Sequence, residues 1–281
     1  MALKKLAFIG AGSMAEAIIS GLCQKKKLSP DQIYVANRQD ESRLVELKDK
    51  YGVQCHSLSA SVVKDADVII LAMKPSGAKE ALESISPFTS KHQLFISVLA
   101  GITTDYVSYI LGHKAPIVRV MPNTSASVGS STTIIAPGRY VKNEHLQTTA
   151  SFFESVGIVK HVKEEEVDRL TAIAGSGPAY MYYFYEAMMN SLKELKIDPE
   201  LGEELVLQMM QGSIDLLKHT TESPRELYEK VRSPGGTTEA GLQVLANHDL
   251  QRIVSNCIKR AAERSQEITK EMSTLPENTR K

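Results

Sequence analysis

The chain has 281 residues, and its 33 basic and 33 acidic side chains give a formal net charge of zero. This balance gives no electrostatic reason to expect nucleic acid or an acidic membrane surface as a partner, and no apolar run approaches the roughly 20 residues that span a bilayer. Cys23, Cys55 and Cys257 are scattered, which predicts neither a disulfide framework nor a metal site. Unpaired cysteines favour a reducing compartment. The sequence runs directly into a predicted strand, with no visible signal or transit peptide, so we expect a cytoplasmic location.

A dinucleotide fingerprint follows the first predicted strand. Residues 3–9 are apolar enough for a buried strand, and Gly-Ala-Gly-Ser-Met-Ala follows at 10–15, ahead of an amphipathic helix to about Gln24. In this context the first glycine makes the tight turn, the second admits a pyrophosphate, and Ala15 allows close helix–strand packing. The helix N-terminus then faces the phosphates. The residues predicted to bind the dinucleotide are Gly10, Ala11, Gly12, Ser13 and Met14.

The first half of the chain alternates strands with helices. Further strands are predicted at 33–36, 68–72, 94–98, 117–120, 131–136 and 157–162, and helices at 40–51 and 103–111. Such alternation predicts a mostly parallel sheet covered on both faces, which is an α/β fold of the Rossmann type.

From Glu164 onward the pattern is entirely helical, with a break at 174–178 and helices predicted to about residue 272. We therefore expect a dinucleotide-binding domain at 1–162 and an all-helical domain at 163–281, with fraying over 273–281. The aromatic residues at 180 and 182–185 wrap around their helix. They are compatible with a surface buried against a second copy, and equally with an ordinary core and a few exposed rings.

The end of the second strand bears on the choice of nicotinamide cofactor. An NAD-specific site places a carboxylate there for the ribose hydroxyls, but the sequence has Asn37 and Arg38 and no carboxylate before Asp40. Arg38 can pair with a 2′-phosphate and Asn37 can donate to it, so NADP is favoured, with NAD as the weaker alternative. The competing interpretation is that Arg38 merely lies at the start of the next helix and does not bind the cofactor.

Two further turns follow predicted strands at their carboxyl ends, where open α/β sheets bind ligands. Both are predicted to flank the nicotinamide ribose, although Lys74 could instead be a solvated loop lysine. The residues are Ala72, Met73, Lys74 and Pro75 in the first turn, and Met121, Pro122 and Asn123 in the second.

A second glycine-rich segment, Ser-Pro-Gly-Gly-Thr-Thr at 233–238, precedes a predicted helix at 239–247. Pro234 ends the preceding helix, the glycines let a ligand approach the backbone, and Thr237 or Thr238 is expected to cap the helix. A helix N-terminus with free N–H groups and a hydroxyl suits a small anion such as a carboxylate. The alternative is a helix–helix turn that happens to be rich in glycine.

Nearly end to end, the chain resembles the pyrroline-5-carboxylate reductase family. The matching segments are residues 10–15, 72–75, 118–124, 171–180 and 233–238, of which the last two are specific to that family. The resemblance implies NAD(P)H-dependent reduction of 1-pyrroline-5-carboxylate to L-proline, the last step of proline biosynthesis. It also implies a homodimer with interlocked helical domains, often assembled into a larger ring.

The resemblance also assigns roles in the glycine-rich loop. Ser233, Gly236 and Thr237 are expected to hold the substrate carboxylate together with the adjacent Gly235, and Thr238 is the expected catalytic residue near the ring nitrogen. Two positions depart from the family pattern. Ser59 stands where many members carry an Asn on the adenosine side of the cofactor, and Arg232 stands where Thr or Ser is common.

Reduction of a cyclic imine requires no strong general acid from the protein. An imine nitrogen can be protonated in water near neutral pH, so the protein mainly orients the reactants, and Thr238 orients the imine or passes it a proton, alone or through water. Two other classes of protein share part of this pattern. A β-hydroxyacid dehydrogenase needs a catalytic Lys in a Gly-rich helix, which residues 175–178 lack. A non-catalytic NADP-binding relative would have lost part of the glycine–threonine loop, which is intact here.

Overall fold

The computed structural model describes residues 3–38 and 40–275, so positions 276–281 of the predicted frayed end lie outside the described residues. Within that range one sheet has eight strands in the order β3-β2-β1-β4-β5-β6-β7-β8. All neighbours are parallel except β6 and β7, which are antiparallel. The strands are β1 (Leu6–Ile9), β2 (Ile33–Ala36), β3 (Gln54–His56), β4 (Val68–Leu71), β5 (Leu94–Ser97), β6 (Ile117–Met121), β7 (Ser131–Pro137) and β8 (Gly157–His161).

Helices connect the strands and make up most of the chain after β8. They are α1 (Ser13–Gln24), α2 (Glu41–Tyr51), α3 (Ser59–Val63), α4 (Ala78–Ile85), α5 (Thr104–Leu111), α6 (Asn143–Phe153), α7 (Glu164–Ala174), α8 (Gly177–Glu194), α9 (Pro199–His219), α10 (Pro224–Val231), α11 (Thr237–Asn247) and α12 (Leu250–Met272).

Two apolar layers cover the two faces of the sheet. Because side chains alternate along a strand, Leu6 and Phe8 of β1 pack on one face in a cluster that includes Ile18 of α1. Ile9 packs on the other face in a cluster that includes Leu82 of α4. The predicted α/β fold, a mostly parallel Rossmann-type sheet followed by helices, is confirmed.

Local signals in the sequence explain several helix boundaries. Thr103 caps α5 by accepting a hydrogen bond from the Tyr106 N–H at 3.2 Å, and Gly112 ends that helix in the left-handed region at φ 70°. Asp198 caps α9 in the same way, with the Leu201 N–H at 3.0 Å and Pro199 in the first turn. These are the helix starts and stops that the sequence predicts.

The chain packs as two compact units. The first comprises the residues up to Pro178 together with those from Arg260 onward, and the second is Ala179–Lys259. The packing thus groups α7 and the end of α12 with the sheet, whereas the domain division at 162 stays a prediction from the sequence.

The second unit exposes most of its apolar side chains. Val206, which is 9% exposed, is the only large apolar side chain that is buried within Ala179–Lys259, every residue of which the structure describes. Helices α8, α9 and α11 and the start of α12 instead present many large exposed ones, including Tyr182, Tyr183, Leu205, Leu217, Val244 and Ile253. Apolar surface on this scale is typical of a face that another protein surface covers.

Candidate cofactor and substrate sites

A cavity of about 650 Å³ lies at the carboxyl edge of the sheet, beside the turns that follow β1, β2 and β4. The strand order reverses between β1 and β4, which is where ligands bind in open α/β sheets. Ten residues predicted to bind the cofactor line it: Gly10, Ala11, Gly12, Ser13, Asn37, Arg38, Ser59, Ala72, Met73 and Lys74.

The two fingerprint glycines have different local reasons. Gly10 has φ +107°, and a Cβ there would lie 2.6 Å from the backbone of Ala72 and Met73, so the tight turn requires glycine. A Cβ on Gly12 would meet no atom within 4 Å and would project into open space. That space is where a pyrophosphate fits against the N-terminus of α1, whose N-cap is Gly12 itself.

An ionic cluster fastens the fingerprint turn to α2. Arg43 donates to the carbonyl of Ala11 at 3.0 Å and pairs with Glu16 in the first turn of α1. Glu16 also accepts hydrogen bonds from Lys50 at 2.8 Å and Tyr51 at 3.0 Å. The hydrogen bonds from Lys50 and then Arg43 lower the pKa of Glu16 to about 2.

Arg38 forms an ion pair with a residue of α4. Its Nη1 atom donates to the Oε1 atom of Glu80 on α4 at 2.7 Å, and both side chains line the cavity. The hydrogen bond raises the pKa of Arg38 and lowers the pKa of Glu80. The one guanidinium expected to meet a 2′-phosphate therefore already holds a carboxylate, from a residue that no pattern in the sequence pairs with it.

Five of the predicted cofactor residues lie outside the cavity lining: Met14, Pro75, Met121, Pro122 and Asn123. Met14 packs against the core. Asn123 is buried, donates from its amide to the carbonyl of Ala174 at 2.8 Å, and accepts from the Ser125 N–H at 3.0 Å. Its side chain thus joins the turn after β6 to the end of α7, and its part in cofactor binding stays a prediction.

The glycine-rich loop starts α11 in a different way from the expected one. The helix begins at Thr237 and its N-cap is Gly236, with no side-chain cap, so the expectation that Thr237 or Thr238 caps a helix starting at 239 is wrong. The Gly236 N–H donates to the carbonyl of Ser233 at 2.9 Å, and Gly235 has φ +71°. As a result the helix begins two residues before the predicted start at 239, and both threonines lie in its first turn.

Glu239 supplies a carboxylate to the same loop. Its Oε2 atom accepts the Gly235 N–H at 2.8 Å, and its Oε1 atom lies 4.0 Å from the Nε atom of Arg232. An internal carboxylate thus takes one of the N–H donors beside the N-terminus of α11. A Glu at the third position of a helix is a sequence signal for such a bond, and Glu239 occupies that position in α11.

Two family models match separate parts of the chain, and a relative matches most of its length. Residues 164–268 match the family described as "Pyrroline-5-carboxylate reductase dimerisation", and residues 5–101 match the one described as "NADP oxidoreductase coenzyme F420-dependent". Pyrroline-5-carboxylate reductase 2 of Bacillus subtilis is 40% identical over 271 residues, which is 96% of this chain and 97% of that protein.

Solved structures agree with that relationship. A pyrroline-5-carboxylate reductase from Coxiella burnetii is similar with a TM-score of 0.85 and 32% identity, over 95% of this chain and 99% of that one. The pyrroline carboxylate reductase of Plasmodium falciparum, solved with NADP bound, has a TM-score of 0.87 and 28% identity, over 94% of this chain and 98% of that one.

Proposed function

Because the chain belongs to the pyrroline-5-carboxylate reductase family, we propose that it reduces 1-pyrroline-5-carboxylate to L-proline with NADPH, in the last step of proline biosynthesis. It is an oxidoreductase that acts on a cyclic carbon–nitrogen double bond. The observation that carries the proposal is an intact fingerprint cavity in the same chain as an intact Ser-Pro-Gly-Gly-Thr-Thr loop.

NADP is the cofactor that the residues fit. The open space at Gly12 suits the pyrophosphate, Asn37 and Arg38 lie where the ribose phosphate is expected, and Ala72, Met73 and Lys74 line the same cavity. When bound, NADPH supplies the hydride that reduces the imine carbon. The chain's own residues bind and orient it, and Ser59 is the proposed contact on the adenosine side.

The glycine-rich loop is the proposed seat of the substrate carboxylate. The first-turn N–H groups of α11 have no acceptor within the helix, and the bond from Gly235 to Glu239 supports the idea that this loop donates to carboxylates. Ser233 and Thr237 would fix the anion in a turn that Gly235 and Gly236 shape, where the Gly235 N–H is held by Glu239 and the Gly236 N–H by the Ser233 carbonyl. Thr238 would orient the imine nitrogen or pass it a proton.

The protein is proposed to work as a homodimer. The exposed apolar side chains of α8, α9 and α11 lie within the range that matches the dimerisation family. A helical unit with so little apolar burial of its own is expected to gain stability from a second copy. A larger ring of dimers remains a prediction from the family resemblance, and sedimentation of dilute protein would measure both states.

Location is a separate inference. No helix among the described residues is long and apolar enough to cross a membrane. All three cysteines are free thiols, which supports the predicted cytoplasmic location, where thiols stay reduced.

The proposal is tested by the purified protein's substrate range. NADPH oxidation is followed with 1-pyrroline-5-carboxylate and, in parallel, with 2-keto acids, while a matched assay offers NADP⁺ and 3-hydroxy acids. We expect rapid turnover with the imine alone, with proline formed in equal amount to the NADPH consumed. Preferred oxidation of the 3-hydroxy acids would favour the dehydrogenase alternative, and no turnover with any of them would contradict an enzymatic role.

A further inference from the structure

The ion pair at the mouth of the cofactor cavity has a consequence for selectivity. We propose that Glu80 weakens the preference of this enzyme for NADPH over NADH by competing with the nucleotide 2′-phosphate for Arg38. The two side chains are joined at 2.7 Å, are 61% and 68% exposed, and both line the cavity. They are 42 residues apart in the chain, and they meet because β2 and β4 both flank β1.

The competition follows from charge. A phosphate monoester carries nearly two negative charges at neutral pH and prefers a guanidinium as its partner. To reach Arg38 it must displace the carboxylate of Glu80, which then remains close by as a like charge. A ribose hydroxyl makes no such demand, so NADH can bind with the pair intact. Arg43, another cation of the cavity lining, is already held by Glu16 and Glu46.

The effect is expected to be moderate because the pair is exposed to solvent. Exposed ion pairs contribute little, so Glu80 should weaken binding of the phosphorylated nucleotide by roughly two- to fivefold rather than exclude it. Glu80 is thus a positioning residue for Arg38 that keeps both nicotinamide cofactors usable.

The test uses nucleotide fragments that differ by the phosphate alone. Adenosine 2′,5′-bisphosphate and 5′-AMP are titrated by calorimetry into the full-length protein and into Glu80→Gln, which keeps size and polarity but removes the charge. We expect the bisphosphate to bind roughly two- to fivefold tighter to the variant and AMP to bind equally to both. The matched control is Glu83→Gln on the same helix, since Glu83 lies outside the cavity lining and 4.0 Å from Lys79.

A second background decides whether Glu80 acts through Arg38. In an Arg38→Ala protein, adding Glu80→Gln should produce little of the increase in bisphosphate affinity over AMP, because there is no guanidinium for the substitution to release. A full gain in that background would overturn the proposal, since Glu80 would then simply repel the phosphate. An equal gain for both nucleotides, or a gain that Glu83→Gln reproduces, would overturn it too.

The inference rests on the proposed NADPH-dependent function, but the two can fail separately. Fragment binding requires no imine, so a protein that ignores the imine yet shows the selectivity change would refute the function and keep the role of Glu80. Normal imine reduction with unchanged selectivity in Glu80→Gln would refute the role of Glu80 and keep the function.

Discussion

At the scale of single residues, the site depends on backbone more than on titratable side chains. Gly10 and Gly12 shape the cofactor turn through the space that a missing Cβ leaves. In the proposed carboxylate seat, Gly235 adopts φ +71° and a Cβ on Gly236 would collide with the Ser233 side chain, so both glycines shape that turn. Substitutions that add bulk should therefore reveal the two sites more cleanly than substitutions that remove charge.

Gly236→Val should block the substrate and spare the cofactor. A Cβ at Gly236 would collide with the side chain of Ser233 and lie 3.0 Å from its carbonyl oxygen, so the loop must move. Since an ångström of displacement in a positioning site can cost about 100-fold, kcat/KM for the imine should fall by about that factor or more. NADPH affinity, measured by fluorescence titration, should stay unchanged.

The control for this variant is Gly241→Ala, which lies in the same helix and has no atom within 4 Å of the added Cβ. It should keep wild-type kinetics. Normal imine reduction by Gly236→Val would place the substrate carboxylate elsewhere.

Thr238→Val separates two origins of the imine proton. If water supplies the proton, the rate should fall modestly and the pH profile of kcat should keep its shape. If the hydroxyl is the donor, activity should fall steeply and shift toward acid, where the imine arrives already protonated. Thr237→Val is the comparison, as the neighbouring threonine of the same turn. A Thr238→Val protein with wild-type kcat at every pH would remove Thr238 from the mechanism.

At the scale of elements, sequence signals work where a boundary is local. Thr103, Asp198 and Pro199 predict their helix boundaries correctly because a cap involves neighbours three residues apart. The turn at 233–236 misleads, since Gly236 takes the N-cap without any side chain. The short strand β3 and helices α3, α4 and α6 are not predicted from the sequence. None of these helices is capped by the side chain of its N-cap residue. In α4, Ala78, Leu82 and Ile85 form an apolar stripe at helical spacing, which is a signal that could have predicted it.

Glu16 should make the packing of α1 against α2 sensitive to acid. Its pKa is about 2 in the folded protein and ordinarily 4.5, so its charge stabilises the fold at neutral pH. That stabilisation is complete above about pH 5 and is lost as the pH falls from 4.5 through 2. With the carboxyl side chain 20% exposed, we expect about 1–2 kcal/mol.

The measurement is urea unfolding between pH 7 and pH 3, compared with Glu16→Gln. The wild-type protein should lose its advantage over the variant as the pH falls. Glu41→Gln, at the first position of α2, controls for removing any acidic side chain from this region. A constant difference between wild type and Glu16→Gln across the pH range would contradict the cause assigned to the low pKa.

At the scale of the whole molecule, the sequence does not predict which side chains pair when they are far apart in the chain. The pair Arg38–Glu80 is one case, and the buried Arg119 of β6 is another. Its Nη2 atom donates to Asp168 of α7 at 2.8 Å, and Asp168 also accepts hydrogen bonds from Ser265 and Thr269 of α12. Position 119 is part of a family motif, but no periodicity in the chain identifies these partners.

Breaking this network should destabilise the unit that holds the sheet. Arg119 is 1% exposed, so Arg119→Ala would leave Asp168 without its buried countercharge. Such losses amount to roughly 3–5 kcal/mol, which lowers Tm by about 6–20 °C in a unit of this size. Differential scanning fluorimetry of the wild-type and Arg119→Ala proteins measures this decrease in Tm. The double variant Arg119→Met/Asp168→Leu should recover a large part of the loss, and a Tm within about 1 °C of wild type in Arg119→Ala would contradict a stabilising role.

The central claim is that this chain transfers a hydride from NADPH to the imine carbon of 1-pyrroline-5-carboxylate. It is tested most directly with NADPH carrying deuterium at both hydrogens of nicotinamide C4. Mass spectrometry and NMR of the product should show proline with one deuterium, located at C5. Unlabelled proline, or label on another carbon, would contradict the account.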